Sequence, residues 1–238
     1  MGRQNKVLSQ FHPLIETWFT NRYGQPTGIQ KQAWPHILAG EHVLITAPTG
    51  SGKTLTAFLW AMHQLITENW ETGKTRVLYV SPLKALNNDV QRNLITPLAE
   101  LSGIFEAANL FFPAVRVFTR SGDTSQAERR KILRHAPEIL ITTPESLNLL
   151  LSSNSGKSLL SHLQTVILDE IHAVLDSKRG VHLITAVERL VPLAGEFQRI
   201  ALSATVHPLK TVAEFIGGFQ AAKTGVTIPG PARPVTTI

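Results

Sequence analysis

Short apolar runs rich in β-branched residues alternate along this chain with longer stretches in which apolar residues recur every three or four positions. That is the pattern of βαβ units built around a parallel sheet. Strands are predicted at 42–46, 76–80, 115–118, 138–142, 165–168 and 199–202, and helices at 54–68, 83–101 and 183–193. The expected fold is α/β, an open, doubly wound and mostly parallel sheet with helices on both faces. In such sheets ligands bind beyond the carboxyl ends of the strands, so the residues directly after each strand carry the chemistry. Residues 1–40 are expected to form an N-terminal helical extension and 41–222 the main domain. Residues 223–238, with Pro229, Pro231 and Pro234, read as an extended linker.

The first strand runs into Ala47-Pro48-Thr49-Gly50-Ser51-Gly52-Lys53-Thr54, and a helix opens immediately after it. This is the strand–loop–helix context of a phosphate-binding loop, with Ala in place of the first Gly. Gly50 and Gly52 let the backbone curl so that its N–H groups converge on phosphate oxygens at the positive end of the helix. Thr49, Ser51 and Lys53 complete the cradle, Lys53 reaching the β- and γ-phosphates of ATP. The Thr54 hydroxyl is the expected Mg²⁺ ligand.

The fifth strand ends in Asp169-Glu170. Phosphoryl transfer needs one carboxylate to hold Mg²⁺ and a second to orient or deprotonate the attacking water. Asp169 suits the first task and Glu170 the second. An acidic helix N-terminus without function would look the same in isolation. Pairing with the upstream loop favours the catalytic reading.

The string Asp169-Glu170-Ile171-His172 resembles the D-E-x-H box of superfamily 2 DEAD/DEAH-like helicases, and other motifs of their first RecA-like, P-loop NTPase domain occur in order. Pro26-Thr27-Gly28-Ile29-Gln30 resembles the Q motif, which implies that Gln30 reads the adenine edge and that an earlier aromatic, Phe11, packs on the base. Ser81-Pro82-Leu83-Lys84-Ala85-Leu86 resembles motif Ia, and Thr142-Thr143-Pro144-Glu145-Ser146-Leu147 motif Ib. Ser203-Ala204-Thr205 resembles motif III. Asn87-Asn88-Asp89, Thr119-Arg120-Ser121-Gly122-Asp123-Thr124 and Ser177-Lys178-Arg179-Gly180 are similar to the large helicase-related (Lhr) branch. The resemblance implies catalysis by Lys53, Asp169, Glu170 and His172. It also implies 3′-to-5′ movement on single-stranded nucleic acid, DNA rather than RNA, in DNA repair.

Strand-end hydroxyls, cations and N–H groups suit a sugar–phosphate backbone held without reading sequence. The candidates are Ser81, Lys84, Arg120, Gly122, Thr143 and Ser146. Ser81 before Pro82 and Thr143 before Pro144 also read as helix N-caps, a role compatible with phosphate binding. Ser203 and Thr205 are candidates for a hydrogen-bond relay between the two ligands. Lys178 and Arg179 are candidates for a strand or another domain.

A length of 238 residues and 43% hydrophobic composition suffice for a sizeable core. The net charge of +6 is compatible with a polyanionic partner without demanding one. With no cysteine there is no disulfide, iron–sulfur cluster or Cys-based zinc site. His162, His172 and His182 stand ten apart, which presents no helical ligand face. The N-terminus lacks the apolar core of a signal peptide and no run is long enough to span a membrane, so a cytoplasmic location without a membrane partner is expected. Such helicases hydrolyse ATP between two RecA-like domains. Only 33 residues follow Thr205, too few for a second sheet. The alternatives are a truncated, non-catalytic protein that binds ATP or nucleic acid, and a P-loop kinase or transporter ATPase, in which motifs Ia, Ib and III have no task.

Overall fold

The computed structural model describes residues 7–82, 89–221, 227–231 and 233–238. Among them, seven strands form one parallel sheet in the order β3-β4-β2-β5-β6-β1-β9. The strands are β1 (His42–Thr46), β2 (Val77–Val80), β3 (Val117–Arg120), β4 (Ile139–Thr142), β5 (Thr165–Leu168), β6 (Gln198–Ser203) and β9 (Val235–Thr237). A short antiparallel pair, β7 (Phe219–Ala221) with β8 (Thr227–Pro231), stands beside it. Strands β2, β4 and β5 are buried along their whole length, as expected when helices cover both faces of a parallel sheet.

The strand expected at 115–118 lies two residues later. The Arg116 N–H does not enter the ladder; it donates to the buried Glu138 carboxylate at 2.6 Å, as does the Gly73 N–H. That carboxylate is acceptor to both chain entries, so pairing of β3 with β4 starts at Val117 and Ile139.

The terminal segment was expected to be linker, and part of it is sheet. Val235, Thr236 and Thr237 are β-branched and add in parallel to β1, which otherwise presents an unpaired edge. The Thr46 N–H donates to the Ile238 carbonyl at 2.8 Å and the Ile238 N–H to the Leu44 carbonyl at 2.9 Å. Pro234 precedes β9, where its missing N–H costs no ladder bond.

Helices α1 (Pro13–Tyr23), α2 (Gly28–Leu38), α3 (Lys53–Ile66) and α4 (Thr96–Ala107) contribute to one core, while α6 (Pro144–Leu151) and α8 (Lys178–Ala194) contribute to the other. The smaller helices are α5 (Gln126–Arg134), α7 (Asn154–Leu159) and α9 (Leu209–Gly217). No helix among the described residues is long and apolar enough to cross a membrane.

Candidate functional site

Between β1 and α3 the backbone curls through Gly50 at φ 83° and Gly52 at φ 91°, a left-handed region that glycine adopts cheaply. At Gly52 there is a second demand, because a Cβ there would lie 2.9 Å from Gln30 Nε2. The phosphate loop and the Q-motif segment are therefore packed against each other. The Thr27 hydroxyl donates to the Ser51 carbonyl at 3.1 Å. Thr27 and Gln30 form a capping box at the start of α2, in which the Thr27 N–H donates to Gln30 Oε1 at 2.9 Å. Gln30 is buried and lines the same cavity as the loop, with its carbonyl oxygen committed to that cap.

Lys53 is 7% exposed and donates to the carbonyls of Ala47 and Pro48. Burial holds its ammonium below the ordinary lysine range, opposed by the nearby charges of Glu170 and Asp169. The Ser51 hydroxyl is buried with no partner among the described residues. A cavity of about 310 Å³ opens over the loop. Its floor is Thr49, Gly50, Gly52, Lys53 and Thr54, Glu170 closes one part, and Phe19, Tyr23, Gln25 and Gln30 another.

Phe11 does not line this cavity. It is 4% exposed and meets Trp34, Trp60 and His63 edge-on, with centroids 5.2, 6.3 and 5.5 Å away. The N-terminal segment folds over the apolar faces of α2 and α3, and Phe11 is drawn into that core. Tyr23, half exposed at the end of α1, supplies the aromatic wall. Its sequence signal was an aromatic one turn and a glycine before the Q-motif string.

Asp169 follows β5 and is 5% exposed. Burial pushes its carboxyl up to about 6, against the opposing effect of two donors. Those donors are the Tyr79 hydroxyl on Oδ2 and the Glu170 N–H on Oδ1, at 2.8 Å for the latter. Burial and the adjoining Asp169 push the Tyr79 phenol upward, so it stays protonated and donates. Tyr79, stacked on Phe58 with centroids 5.0 Å apart, was not singled out from the sequence, where it reads as an ordinary strand aromatic. Glu170 sits at φ 50°, a left-handed conformation that costs a non-glycine residue of order 1–2 kcal/mol. Each Asp169 oxygen has one donor, which leaves lone pairs for a cation. That oxygen donor set suits Mg²⁺.

His172 joins two motifs. Its Nδ1 lies 3.2 Å from the Ala204 N–H and 3.3 Å from Glu170 Oε2. One nitrogen cannot accept from the amide and donate to the carboxylate at once, so the two contacts are alternatives tied to the ring's tautomer. The neighbouring Ser203 carbonyl accepts from the Ala47 N–H at 3.2 Å. Ser203 is fully buried and its hydroxyl has no partner among the described residues, whereas Thr205 is exposed.

The remaining candidates cluster at the ends of β2, β4 and β3. Thr143 caps α6, accepting from the Ser146 N–H at 3.3 Å. Ser81 and Ser146 are 1% and 3% exposed, packed beneath the strand ends, so their hydroxyls do not face solvent where a strand would lie. Arg120 ends β3, and burial together with Arg129 lowers its guanidinium below the ordinary range. Gly122 is exposed, and its carbonyl accepts from Arg129 at 2.9 Å. Lys84 lies outside the described residues. Arg179 is used internally, donating to Glu145 at 2.8 Å and to the Pro82 carbonyl at 3.1 Å, which fastens the motif Ib helix to motif Ia.

A model of the DEAD/DEAH box helicase family matches residues 27–215. The chain is 48% identical over 209 residues to the ATP-dependent helicase Lhr-Core protein 2 of Thermococcus barophilus, covering 87% of this chain and 24% of that relative. It is 46% identical to the Lhr helicase/uracil glycosylase of Escherichia coli over 87% of this chain and 14% of the relative. The Mycobacterium smegmatis helicase Lhr bound to single-stranded DNA and AMP-PNP superposes with a TM-score of 0.83 at 44% identity, covering 98% of this chain and 28% of that one. The DEAD-box helicase Mss116 bound to single-stranded RNA, at 20% identity and a TM-score of 0.73, shares the RecA-like fold. The chain thus spans about a quarter or less of these curated relatives, and it belongs to the DEAD/DEAH box helicase family, with particular similarity to Lhr-type members.

Proposed function

We propose that this chain is the ATP-binding, first RecA-like unit of a helicase that moves 3′ to 5′ along single-stranded DNA in DNA repair. The observation that carries this reading is the sorting of motifs by the sheet. Strands β5, β6 and β1 are neighbours and end in the DEIH string, motif III and the phosphate loop; β3, β4 and β2 are neighbours and end in the Arg120 loop, motif Ib and motif Ia. DNA is preferred to RNA because the similar Lhr helicase is bound to single-stranded DNA.

In this reading Lys53 turns from the loop carbonyls to the β- and γ-phosphates, joined by the loop N–H groups. Thr54 and Asp169 would hold Mg²⁺, which would neutralise charge on the phosphates. Glu170 takes a proton from the attacking water. His172 and Ser203 pass the state of that site toward the strand-end residues. A second RecA-like domain is the partner that supplies transition-state arginines, so this chain alone should bind ATP and turn it over at least about 10³-fold more slowly than the two-domain protein. The test is to join the chain to a second RecA-like domain and measure ATP hydrolysis with single-stranded DNA, single-stranded RNA or neither. DNA stimulation absent in Glu170→Gln supports the reading. Robust DNA-stimulated hydrolysis by the isolated chain would overturn the need for the partner domain.

A further inference from the structure

Tyr79 is the third residue of β2, and the sheet dictates where its side chain can end. Its register partner on β5 is Ile167, and residues two apart along a strand share a face. Asp169, one residue past the end of β5, is still held to β2 by its N–H on the Val80 carbonyl. Tyr79, Ile167 and Asp169 therefore fall on one side of the sheet. Two residues of a parallel strand advance about 6.6 Å, a gap that a phenol can span and a shorter side chain cannot. The hydroxyl at the end of that reach donates to Asp169 Oδ2.

The same face carries α3. Phe58 stacks on the Tyr79 ring with centroids 5.0 Å apart and planes 24° from parallel, and both rings are buried in one core with Ile45 and Ile167. Phe58 stands four residues after Thr54, one turn along the same stripe of the helix. One side chain thus touches both arms of the site: its ring packs on the helix that carries Thr54, and its hydroxyl holds Asp169. Among the described residues the carboxylate has two donors, the Tyr79 hydroxyl and the Glu170 N–H. The second belongs to the next residue and moves with Asp169. The first is fixed to another strand, so it sets the orientation of the carboxylate.

We propose that Tyr79 is a positioning residue for the metal half of the nucleotide site, holding the Asp169 carboxylate in place relative to Thr54 so that both proposed Mg²⁺ ligands are preorganised. The inference rests on the nucleotide-site reading above. A buried phenol could satisfy its O–H on a backbone carbonyl; here it is spent on a carboxylate that burial has taken out of water. Outer donors that orient a ligand in this way are worth about 10- to 100-fold in metal affinity.

Equilibrium binding of a non-hydrolysable ATP analogue to the 238-residue chain, in excess Mg²⁺ and in EDTA, tests this. Tyr79→Phe keeps the stacked ring and removes the donor. Its affinity in EDTA is expected to match wild type, while the tightening that Mg²⁺ confers falls on the order of 10-fold. Ile132→Val, which loosens the opposite core, is expected to leave that tightening unchanged. Equal weakening of Tyr79→Phe in Mg²⁺ and EDTA, or the same loss of tightening in Ile132→Val, would make Tyr79 a packing residue and overturn the proposal. So would full Mg²⁺ tightening in Tyr79→Phe alongside its loss in Asp169→Asn. If Asp169→Asn itself kept the tightening, the metal-site reading would fall, and this inference with it.

Discussion

Replacing Tyr79 by Phe removes one hydroxyl from a buried strand and leaves the ring stacked on Phe58. The hydroxyl donates to Asp169, whose carboxyl is pushed from an ordinary value near 3.8 up to about 6 by burial. A raised carboxyl favours the folded state only while protonated. Its contribution is complete below the unfolded value and is lost as pH rises through 6, a swing of about 3 kcal/mol for a shift of about two units. A hydrogen bond to a charged acceptor is worth about 1.5–3 kcal/mol, and to a neutral one about 0.5–1.5. Tyr79→Phe should therefore destabilise by about 1 kcal/mol at pH 5, where Asp169 is mostly protonated, and by about 2–3 kcal/mol at pH 8, where it is ionised. Any small cavity left by the missing oxygen costs the same at both pH values and cancels in the difference. Urea denaturation of wild type and variant at the two pH values measures it, and in an Asp169→Asn background the pH dependence should vanish. An equal cost at pH 5 and pH 8, or a larger one at pH 5, would refute the claim that this hydroxyl stabilises the ionised carboxylate.

Gly52→Ala combines a positive φ with a contact to Gln30, whereas Gly50→Ala meets nothing within 4 Å, so denaturation should show Gly52→Ala costing roughly 1–2 kcal/mol more. In the two-domain protein, Glu170→Gln should keep ATP affinity and lower turnover by about 10²- to 10⁴-fold, as measured by single-turnover hydrolysis. Ser203→Ala should lower DNA stimulation of ATP hydrolysis several-fold, and Thr205→Ala should not, because only Ser203 is buried without a partner; equal effects would remove the reason for distinguishing them.

What could be read from the sequence was whatever is decided locally. Strands β1 and β5 are short β-branched runs, and the phosphate loop and acidic pair follow them at fixed spacing. What escaped depended on distant groups. The start of β3 was set by Glu138, an acceptor twenty-odd residues away. Phe11 and Tyr23 are both aromatics upstream of Gln30, and only the packing of the segment before α1 against Trp34, Trp60 and His63 decides that Phe11 is core while Tyr23 faces the cavity. The π-turn at Gln91–Ile95 has no period of its own, so 83–101 read as one helix, whose first residues lie outside those described. Prolines made the tail look like linker; the edge of β1 decided that three residues of it would pair.

The order of strands in the sheet also bears on how the two proposed halves communicate. Along the chain, the proposed nucleotide strands β1, β5 and β6 are separated by β2, β3 and β4; in the sheet each set is contiguous, and the sets meet only where β2 lies beside β5. That seam is a parallel ladder from Val77 and Thr165 to Val80 and Leu168, and two further links lie at its carboxyl end. The Asp169 N–H donates to the Val80 carbonyl at 2.9 Å, and the Tyr79 hydroxyl donates to the Asp169 carboxylate. Val80 is followed directly by Ser81, the start of motif Ia. Both links tie β2 to Asp169, Val80 through the backbone N–H and Tyr79 through the carboxylate proposed to hold Mg²⁺. Burial holds that carboxyl above the ordinary range, and the Tyr79 hydroxyl and Glu170 N–H are the donors that oppose this by favouring the ionised form. Because β2 is laddered to β4 on one side and to β5 on the other, motif Ia, motif Ib and the acidic pair end on three strands held in one register.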